Sequence, residues 1–159
     1  MNRFCLTLGI LVLFSSAAAS AGDFPARKPG LWRITISGAH SIAVRQCSDA
    51  ASDEAVFQAG IGVSGSCAKP DVQQSGNTIT IVSVCRSGRK TTTSRIVITG
   101  NLESKYTMTM TRQAPAKPMT LYAEWLGPCG TNQKPGDVIM PDGMKINLLT
   151  SQKEAQTRR

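Results

Sequence analysis

The sequence predicts an all-β fold, an antiparallel β-barrel or barrel-like sandwich of about seven to nine short strands with one short helix. Short segments that alternate apolar and polar residues make up most of the chain, and only one stretch has the pattern of a helix. The connections between these segments are too short for parallel crossovers. Four of the five cysteines follow an export-type N-terminus, so we also predict disulfide bridges.

The first 21 residues have the features of a cleavable signal peptide. The basic residue Arg3 precedes an apolar stretch from Phe4 to Phe14, and Ala19-Ser20-Ala21 fits the small-x-small rule for cleavage after Ala21. The apolar stretch is shorter than the ~20 residues that cross a bilayer as a helix, and no later segment is apolar enough to do so. The sequence therefore predicts a periplasmic or secreted protein without a transmembrane segment.

The rest of the chain is predicted to be one domain. Residues 22–150 would form a single β domain, a length that suits one modest hydrophobic core. Residues 151–159 are polar, and we expect this tail to be disordered.

The first half of the domain contains two strand candidates and the helix candidate. Apolar and polar residues alternate over residues 32–36 and again over residues 42–45, which is typical of half-buried strands. Residues 48–60 have the pattern of a helix, with Ser48 or Ser52 as the cap, acidic residues in the first turn and a glycine at the end.

The second half of the domain is predicted to be a series of hairpins. Ser75-Gly76-Asn77 is a turn signal, followed by a segment rich in β-branched residues. Further turn signals at Gly100-Asn101 and Pro141-Asp142-Gly143 separate strands with clear alternation. The strand candidates are residues 78–84, 91–99, 104–111, 119–125 and 144–148.

The four cysteines of the exported chain predict two disulfides. Cys5 lies in the signal peptide, which leaves Cys47, Cys67, Cys85 and Cys129. Cys67 and Cys85 lie nine residues either side of Gly76, so an undistorted hairpin would pair them and leave Cys47 with Cys129. Pairing of Cys47 with Cys67, and of Cys85 with Cys129, remains open, because it would close the segment that contains the helix.

The basic charge of the chain does not predict a nucleic-acid partner. The formal net charge is +8, but most cations are spread singly along strand candidates, where solvent-facing residues are expected. The one cluster, Arg86-Ser87-Gly88-Arg89-Lys90, is interpreted as an exposed turn. Contact with an anionic envelope component is the alternative for this cluster.

Neither enzymatic activity nor a cofactor is predicted. The sole histidine, His40, lies in a predicted turn, and its sequence neighbours Ser37 and Ser41 do not make a catalytic triad with it. No Gly-x-Ser-x-Gly motif is present. Glu124, an acid in the middle of a strand candidate, is expected to face solvent.

The inward-facing aromatic and methionine residues predict a ligand-binding site. A barrel of this size holds a small apolar ligand if its interior is not filled by side chains. The candidate ligand-binding residues are Trp32, Tyr106, Met108, Met110 and Trp125.

Two other interpretations of these residues stay open. Met108 and Met110 share one strand face, with Met119 and Met140 as possible neighbours, and thioethers bind copper(I) in oxidising compartments. Methionines also fill irregular cores without any ligand. A protein-binding or structural role in the envelope is the third class of function.

Several short motifs in a fixed order resemble the exported bacterial family known as domain of unknown function 3617. The resemblance covers most of residues 28–147. It implies an exported, cysteine-bridged β domain and brings no catalytic residues. The motifs are Lys28-Pro29-Gly30-Leu31-Trp32, Gln46-Cys47, Ser75-Gly76-Asn77-Thr78, Met108-Thr109-Met110-Thr111, Trp125-Leu126-Gly127-Pro128-Cys129, Lys134-Pro135-Gly136-Asp137 and Pro141-Asp142-Gly143.

Overall fold

The computed structural model describes residues 24–38, 41–61, 66–112 and 116–157. These residues form ten strands and two helices. The strands are β1 (Gly30–Ser37), β2 (Ile42–Ser48), β3 (Ser66–Cys67), β4 (Asp71–Ser75), β5 (Thr78–Ser87), β6 (Lys90–Asn101), β7 (Lys105–Arg112), β8 (Met119–Gly127), β9 (Asp137–Ile139) and β10 (Lys145–Asn147). The helices are α1 (Ala50–Ile61) and α2 (Leu148–Thr157).

One antiparallel sheet contains all ten strands. Its order is β10-β9-β2-β1-β8-β7-β6-β5-β3, and β4 also pairs with β5. Strands β5 to β8 form a meander whose last strand pairs with β1, and β1 forms a hairpin with β2. The two ends of this order do not pair with each other within the described ranges, so the sheet is an open, barrel-like sandwich. The predicted fold class is confirmed.

The core lies on the inner face of the sheet. Alternate residues of β5 and β6 are buried there, because successive side chains of a strand point to opposite faces. The core cluster is continuous from β1 to β5 through the intervening strands. Its buried members are Trp32, Ile34, Ile79, Ile81, Ile96, Ile98, Tyr106 and Ala123.

Glycines allow the tight turns between β4 and β5 and between β5 and β6. Gly76 and Gly88 each have φ of +58° and come first in a two-residue connection, which is the pattern of a type II′ turn. Gly88 lies in the basic cluster of residues 86–90, whose side chains are exposed as predicted.

The disulfides join Cys47 to Cys129 and Cys67 to Cys85. This is the pairing that the hairpin spacing favours, although the hairpin is not regular. Within β4 and β5 Ser75 lies opposite Thr78, a register that would place Cys67 opposite Arg86. A one-residue shift between β4 and β3 places Cys67 opposite Cys85 instead.

The helix α1 agrees with the predicted helix, but its cap is different. The Asp49 carboxylate accepts a hydrogen bond from the Ser52 backbone N–H at 2.8 Å, and the Asp49 N–H donates to Ser52 Oγ at 2.9 Å. Asp49 is therefore the N-cap, and Ser52 is its reciprocal partner. The predicted alternative Ser48 is instead the last residue of β2, and its buried Oγ has no hydrogen-bond partner in the described part of the chain.

The C-terminal segment differs from the prediction of a disordered tail over residues 151–159, because the chain up to Thr157 belongs to α2. Asn147 caps this helix by accepting a hydrogen bond from the Thr150 N–H at 3.1 Å. Leu149 packs so closely on Gly136 that a Cβ there would lie 2.8 Å from Leu149 Cγ. This contact and the cap provide tertiary support that composition alone does not show.

The buried carboxylate of Asp137 ties β9 to β10. It accepts hydrogen bonds from Asn147 and from the Lys134 backbone N–H, each at 2.9 Å, and Lys145 Nζ lies 3.3 Å away. Burial disfavours the charged form, but these hydrogen bonds and the Lys145 charge hold the pKa of Asp137 below its usual value.

Two predictions concern residues that the structure does not describe. The signal peptide, with its cleavage site after Ala21, and His40 both lie outside the described ranges. Within those ranges, neither helix has the length and apolar character needed to cross a membrane.

Candidate functional site

A pocket of about 210 Å³ lies between the inner face of the sheet, the helix α1 and the N-terminal segment 24–28. Its walls come from β1, β2, β6, β7 and β8, and most of them are apolar. The apolar lining residues are Phe24, Pro25, Ile34, Val56, Phe57, Ile96, Ile98, Leu102, Met108, Met110 and Leu121. The polar ones are Arg27, Gln46, Asp53 and Tyr106.

The N-terminal segment is held over the pocket by contacts at both of its ends. The Phe24 ring packs on the Phe57 ring of α1, with centroids 4.1 Å apart. Lys28 N–H donates to the Leu102 carbonyl at 2.9 Å, which fixes the segment beside the turn between β6 and β7. The pocket wall therefore depends on a segment that precedes the first strand.

Arg27 and Asp53 form a buried two-point ion pair at the pocket wall. Arg27 Nε donates to Asp53 Oδ2 and Arg27 Nη2 donates to Asp53 Oδ1, both at 2.8 Å. Each side chain is 7% exposed. This bidentate geometry is the strongest arrangement available to an arginine and a carboxylate. The pair thus places one positive and one negative charge at the site with no net charge.

Tyr106 extends this cluster. Its hydroxyl accepts a hydrogen bond from Arg27 Nη1 at 3.3 Å. Burial raises the pKa of Tyr106 despite the nearby guanidinium, so the hydroxyl is neutral at physiological pH. Burial works against the charge of Arg27, but Tyr106 and Asp53 hold its pKa above the usual value.

Trp32 supports this cluster from below and does not line the pocket. Its side chain is fully buried, and the centroids of the Trp32 and Tyr106 rings are 5.5 Å apart. The Arg27 guanidinium carbon is 5.3 Å from the Trp32 ring centroid, within range of a cation–π contact. Trp32 Nε1 donates to the Lys28 carbonyl at 2.8 Å, which satisfies the indole.

Gln46 contributes a polar group that is not paired. Its side chain is 6% exposed and lines the pocket. The amide makes no hydrogen bond with any residue in the described part of the chain. Because a side-chain amide offers both donors and an acceptor, Gln46 presents unused hydrogen-bonding capacity to the pocket.

Three of the five predicted ligand-binding residues line this pocket. Tyr106, Met108 and Met110 do so from one face of β7. Trp32 and Trp125 do not line the pocket. Trp125 instead contacts the chain just before β1: its Nε1 donates to the Pro29 carbonyl at 3.2 Å, and Lys28 Nζ lies 3.7 Å from its ring centroid. The two tryptophans share the inward side of the sheet, but strand parity alone does not identify which inward residues border the cavity.

The sequence analysis missed Arg27, Gln46 and Asp53 as pocket residues. Gln46 has a signal that could have identified it, because it has the same strand parity as Val44, on the inner face of β2. Arg27 precedes the first strand, and its contact with Asp53 spans 26 positions of sequence. No local pattern identifies such a pair.

The methionines lie in apolar surroundings. Met108 and Met110 border the pocket beside Ile98 and Leu121, and Met110 pairs across the sheet with Met119. Within the described ranges no group of three or more His, Cys, Asp or Glu residues could hold a metal ion. Copper(I) binding by Met108 and Met110 therefore stays a hypothesis about thioether ligands.

A comparison with known protein families identifies the chain's relatives. The family model described as "Protein of unknown function (DUF3617)" matches residues 27–129. The chain belongs to the DUF3617 family. The match includes all four polar residues of the pocket, and β9, β10 and α2 lie beyond it. No curated protein and no solved structure matches the chain.

Proposed function

We propose that this member of the DUF3617 family is an exported, non-catalytic domain that binds a small apolar ligand in the pocket beneath α1. The pocket itself carries the proposal. It is concave, its walls are mainly apolar, and a few polar groups converge on it, which is the usual composition of a small-molecule site.

The pocket volume supports a ligand of modest size. An apolar cavity of about 150 Å³ is known to stay dry and to bind benzene. Drug-sized ligands occupy pockets of about 300–1,000 Å³. A volume of about 210 Å³ therefore suits a molecule with one ring or a short alkyl chain.

The pocket chemistry supports binding rather than catalysis. Its described lining has no serine, cysteine, histidine or lysine that would serve as a nucleophile. The Asp53 carboxylate, the one acid of the lining, is held by two hydrogen bonds from Arg27 and is poorly placed to act as a base. We propose on this basis that the domain is not an enzyme.

The disulfides support export. Cys47–Cys129 and Cys67–Cys85 are stable in the periplasm or outside the cell, whereas cytosolic reductants keep thiols reduced. Together with the signal-like N-terminus, they favour a function in the cell envelope.

Native mass spectrometry of the protein purified from the periplasm tests this proposal. We expect a native mass greater than the denatured, non-reduced mass by the mass of a small organic molecule. Met110→Trp places a larger side chain in the pocket and should abolish this difference. Met144→Trp, at a 55% exposed position away from the pocket, is the matched control and should preserve it.

Other outcomes favour the alternative functions. A mass increase of one copper ion that disappears in Met108→Leu with Met110→Leu would favour copper(I) binding. Absence of any bound molecule, combined with no binding of added apolar compounds, would contradict ligand binding. A protein-binding or structural role, or contact with an anionic envelope component, would then be favoured.

A further inference from the structure

We infer that the ligand of this pocket is a neutral molecule with an apolar body and one hydroxyl, carbonyl or amide group that hydrogen-bonds to Gln46. The inference rests on the proposed function and deepens it by naming the ligand class. Two observations carry it: the unpaired amide of Gln46 and the neutral charge balance of the Arg27–Asp53 pair.

The unpaired Gln46 amide favours a ligand that has a hydrogen-bonding group. The Gln46 side chain is 6% exposed and borders the pocket, and its amide makes no hydrogen bond with any residue in the described ranges. The amide atoms keep contact with solvent in the pocket, since Ser48 Oγ is the one fully buried, unpaired side-chain polar atom of those ranges. A ligand that fills the pocket removes water from this amide, and that loss costs free energy unless the ligand supplies a hydrogen bond in exchange. A ligand group that accepts from or donates to this amide recovers that loss, and a purely apolar ligand does not.

The Arg27–Asp53 pair determines the charge that the pocket accepts. Arg27 already directs Nε and Nη2 to Asp53 and Nη1 to Tyr106. A ligand carboxylate would compete with Asp53 for the guanidinium, and the Asp53 carboxylate would repel it in a poorly solvated site. A ligand cation would meet the same obstacle from Arg27. The pocket therefore selects against either charge, although it contains an arginine.

The site should discriminate between compounds that share one ring and differ in a single substituent. Toluene, benzyl alcohol, benzamide and benzoate form such a series, and their size suits a cavity of about 210 Å³. Toluene tests the apolar contact alone. Benzyl alcohol and benzamide add a neutral hydrogen-bonding group, and benzoate adds a charge.

Calorimetric titration of the mature, oxidised protein at pH 7 with these four compounds tests the inference. We expect benzamide and benzyl alcohol to bind about tenfold more tightly than toluene, the effect of one buried hydrogen bond. We expect benzoate to bind at least about tenfold more weakly than benzamide. In Gln46→Leu the advantage of benzamide over toluene should disappear.

Two further variants sharpen the result. Gln74→Leu removes an exposed glutamine of β4 that does not line the pocket, and should leave the order unchanged. Asp53→Asn leaves Arg27 without its counter-charge, and should make benzoate the tightest ligand. Thermal unfolding of each variant shows whether it is folded, and Gln46→Leu decides the question if Asp53→Asn is not.

The failure of this inference can be distinguished from failure of the proposed function. Equal affinities for the four compounds, or tightest binding of benzoate by the wild-type protein, would overturn the ligand class and leave ligand binding intact. An unchanged benzamide preference in Gln46→Leu would also overturn it. If none of the four compounds binds the wild-type protein, both proposals fail.

Discussion

Two arginine–carboxylate pairs of nearly the same length lie on opposite sides of the sheet, one covered by α1 and the N-terminal segment and the other exposed to solvent. On the inner side, Arg27 Nε lies 2.8 Å from Asp53 Oδ2, and each side chain is 7% exposed. Outside, Arg33 and Glu124 lie opposite each other on β1 and β8 at 2.9 Å, with exposures of 53% and 58%. The distances are nearly the same, but the inner pair is shielded from water and the outer pair is exposed to it.

This difference identifies which pair needs an explanation beyond folding. A charged residue on the outer face is expected, because water solvates it whether or not it is paired. A buried ion pair often stabilises a protein no more than apolar residues of the same volume would. The inner pair is therefore not required for a stable core, which is consistent with a role in setting the charge of the pocket.

The largest effect is expected when the inner pair is broken. Asp53→Ala leaves the Arg27 guanidinium buried without its counter-charge, and should reduce the free energy of unfolding by about 4 kcal/mol. Urea denaturation measures this value. Replacement of both residues, Arg27→Met with Asp53→Leu, should recover most of the loss. A small effect of Asp53→Ala would mean that water solvates Arg27 in the pocket.

Substitutions in the packed core on the inner face of the sheet, away from the pocket, should lower the free energy of unfolding as in an ordinary hydrophobic core. Ile81 is completely buried, so Ile81→Ala should reduce the free energy of unfolding by about 3 kcal/mol through lost burial and a new cavity. Thr80→Ala, on the opposite face of the same strand, is the control and should cost well under that amount. Equal losses at the two positions would contradict the assignment of inner and outer faces.

The buried side-chain carboxylate of Asp137 predicts that the free energy of unfolding depends on pH. The pKa of Asp137 is lower in the folded protein than its usual value, so its contribution is complete at neutral pH. That contribution should decrease as the pH falls below the unfolded-state pKa and through the folded-state pKa. At pH 7, Asp137→Asn should cost about 2 kcal/mol.

Urea denaturation across pH 2–7 measures this dependence. The difference between wild type and Asp137→Asn should shrink as the pH falls, because the wild-type carboxylate becomes neutral as well. Lys145→Met removes one contributor to the lowered pKa and should weaken the dependence. A wild-type advantage that does not change with pH would show that the charge of Asp137 contributes nothing.

The smallest effect is expected at the outer pair. Glu124→Ala removes a solvated partner of Arg33, and should change the free energy of unfolding by about 0.5 kcal/mol or less. This variant is the matched control for Asp53→Ala, since both remove the carboxylate of an arginine pair. A loss at Glu124 similar to that at Asp53 would remove the contrast between the two faces.

Most of the sheet could be predicted from the sequence, because the pattern of a strand is contained in its own consecutive residues. Alternation over residues 32–36 and 104–111 reflects one buried and one solvated face, and strand periodicity reports that arrangement directly. The helix α1 was predicted from a serine cap, an acidic start and a terminal glycine, although Asp49 and not a serine is its N-cap. The Cys67–Cys85 pairing was also favoured by spacing, although a register shift that spacing does not reveal brings the two residues together.

The rest depends on contacts that no local pattern records. The helix α2 is polar in sequence and rests on an Asn147 cap and on the packing of Leu149 against Gly136. The Arg27–Asp53 pair joins the N-terminal segment to α1, and an isolated arginine before the first strand resembles an ordinary surface residue. The methionine and tyrosine face of β7 was predicted correctly, but its position at a cavity required the structure.

Nuclear magnetic resonance of the methionine methyl groups tests most directly whether the pocket binds a small ligand. Met1 lies in the predicted signal peptide, so the mature chain would contain Met108, Met110, Met119, Met140 and Met144. On titration with benzyl alcohol, the Met108 and Met110 methyl resonances should shift and saturate together, while the resonances of Met140 and Met144 remain unchanged. Unchanged resonances at Met108 and Met110, or equal shifts at all five methionines, would contradict binding in this pocket.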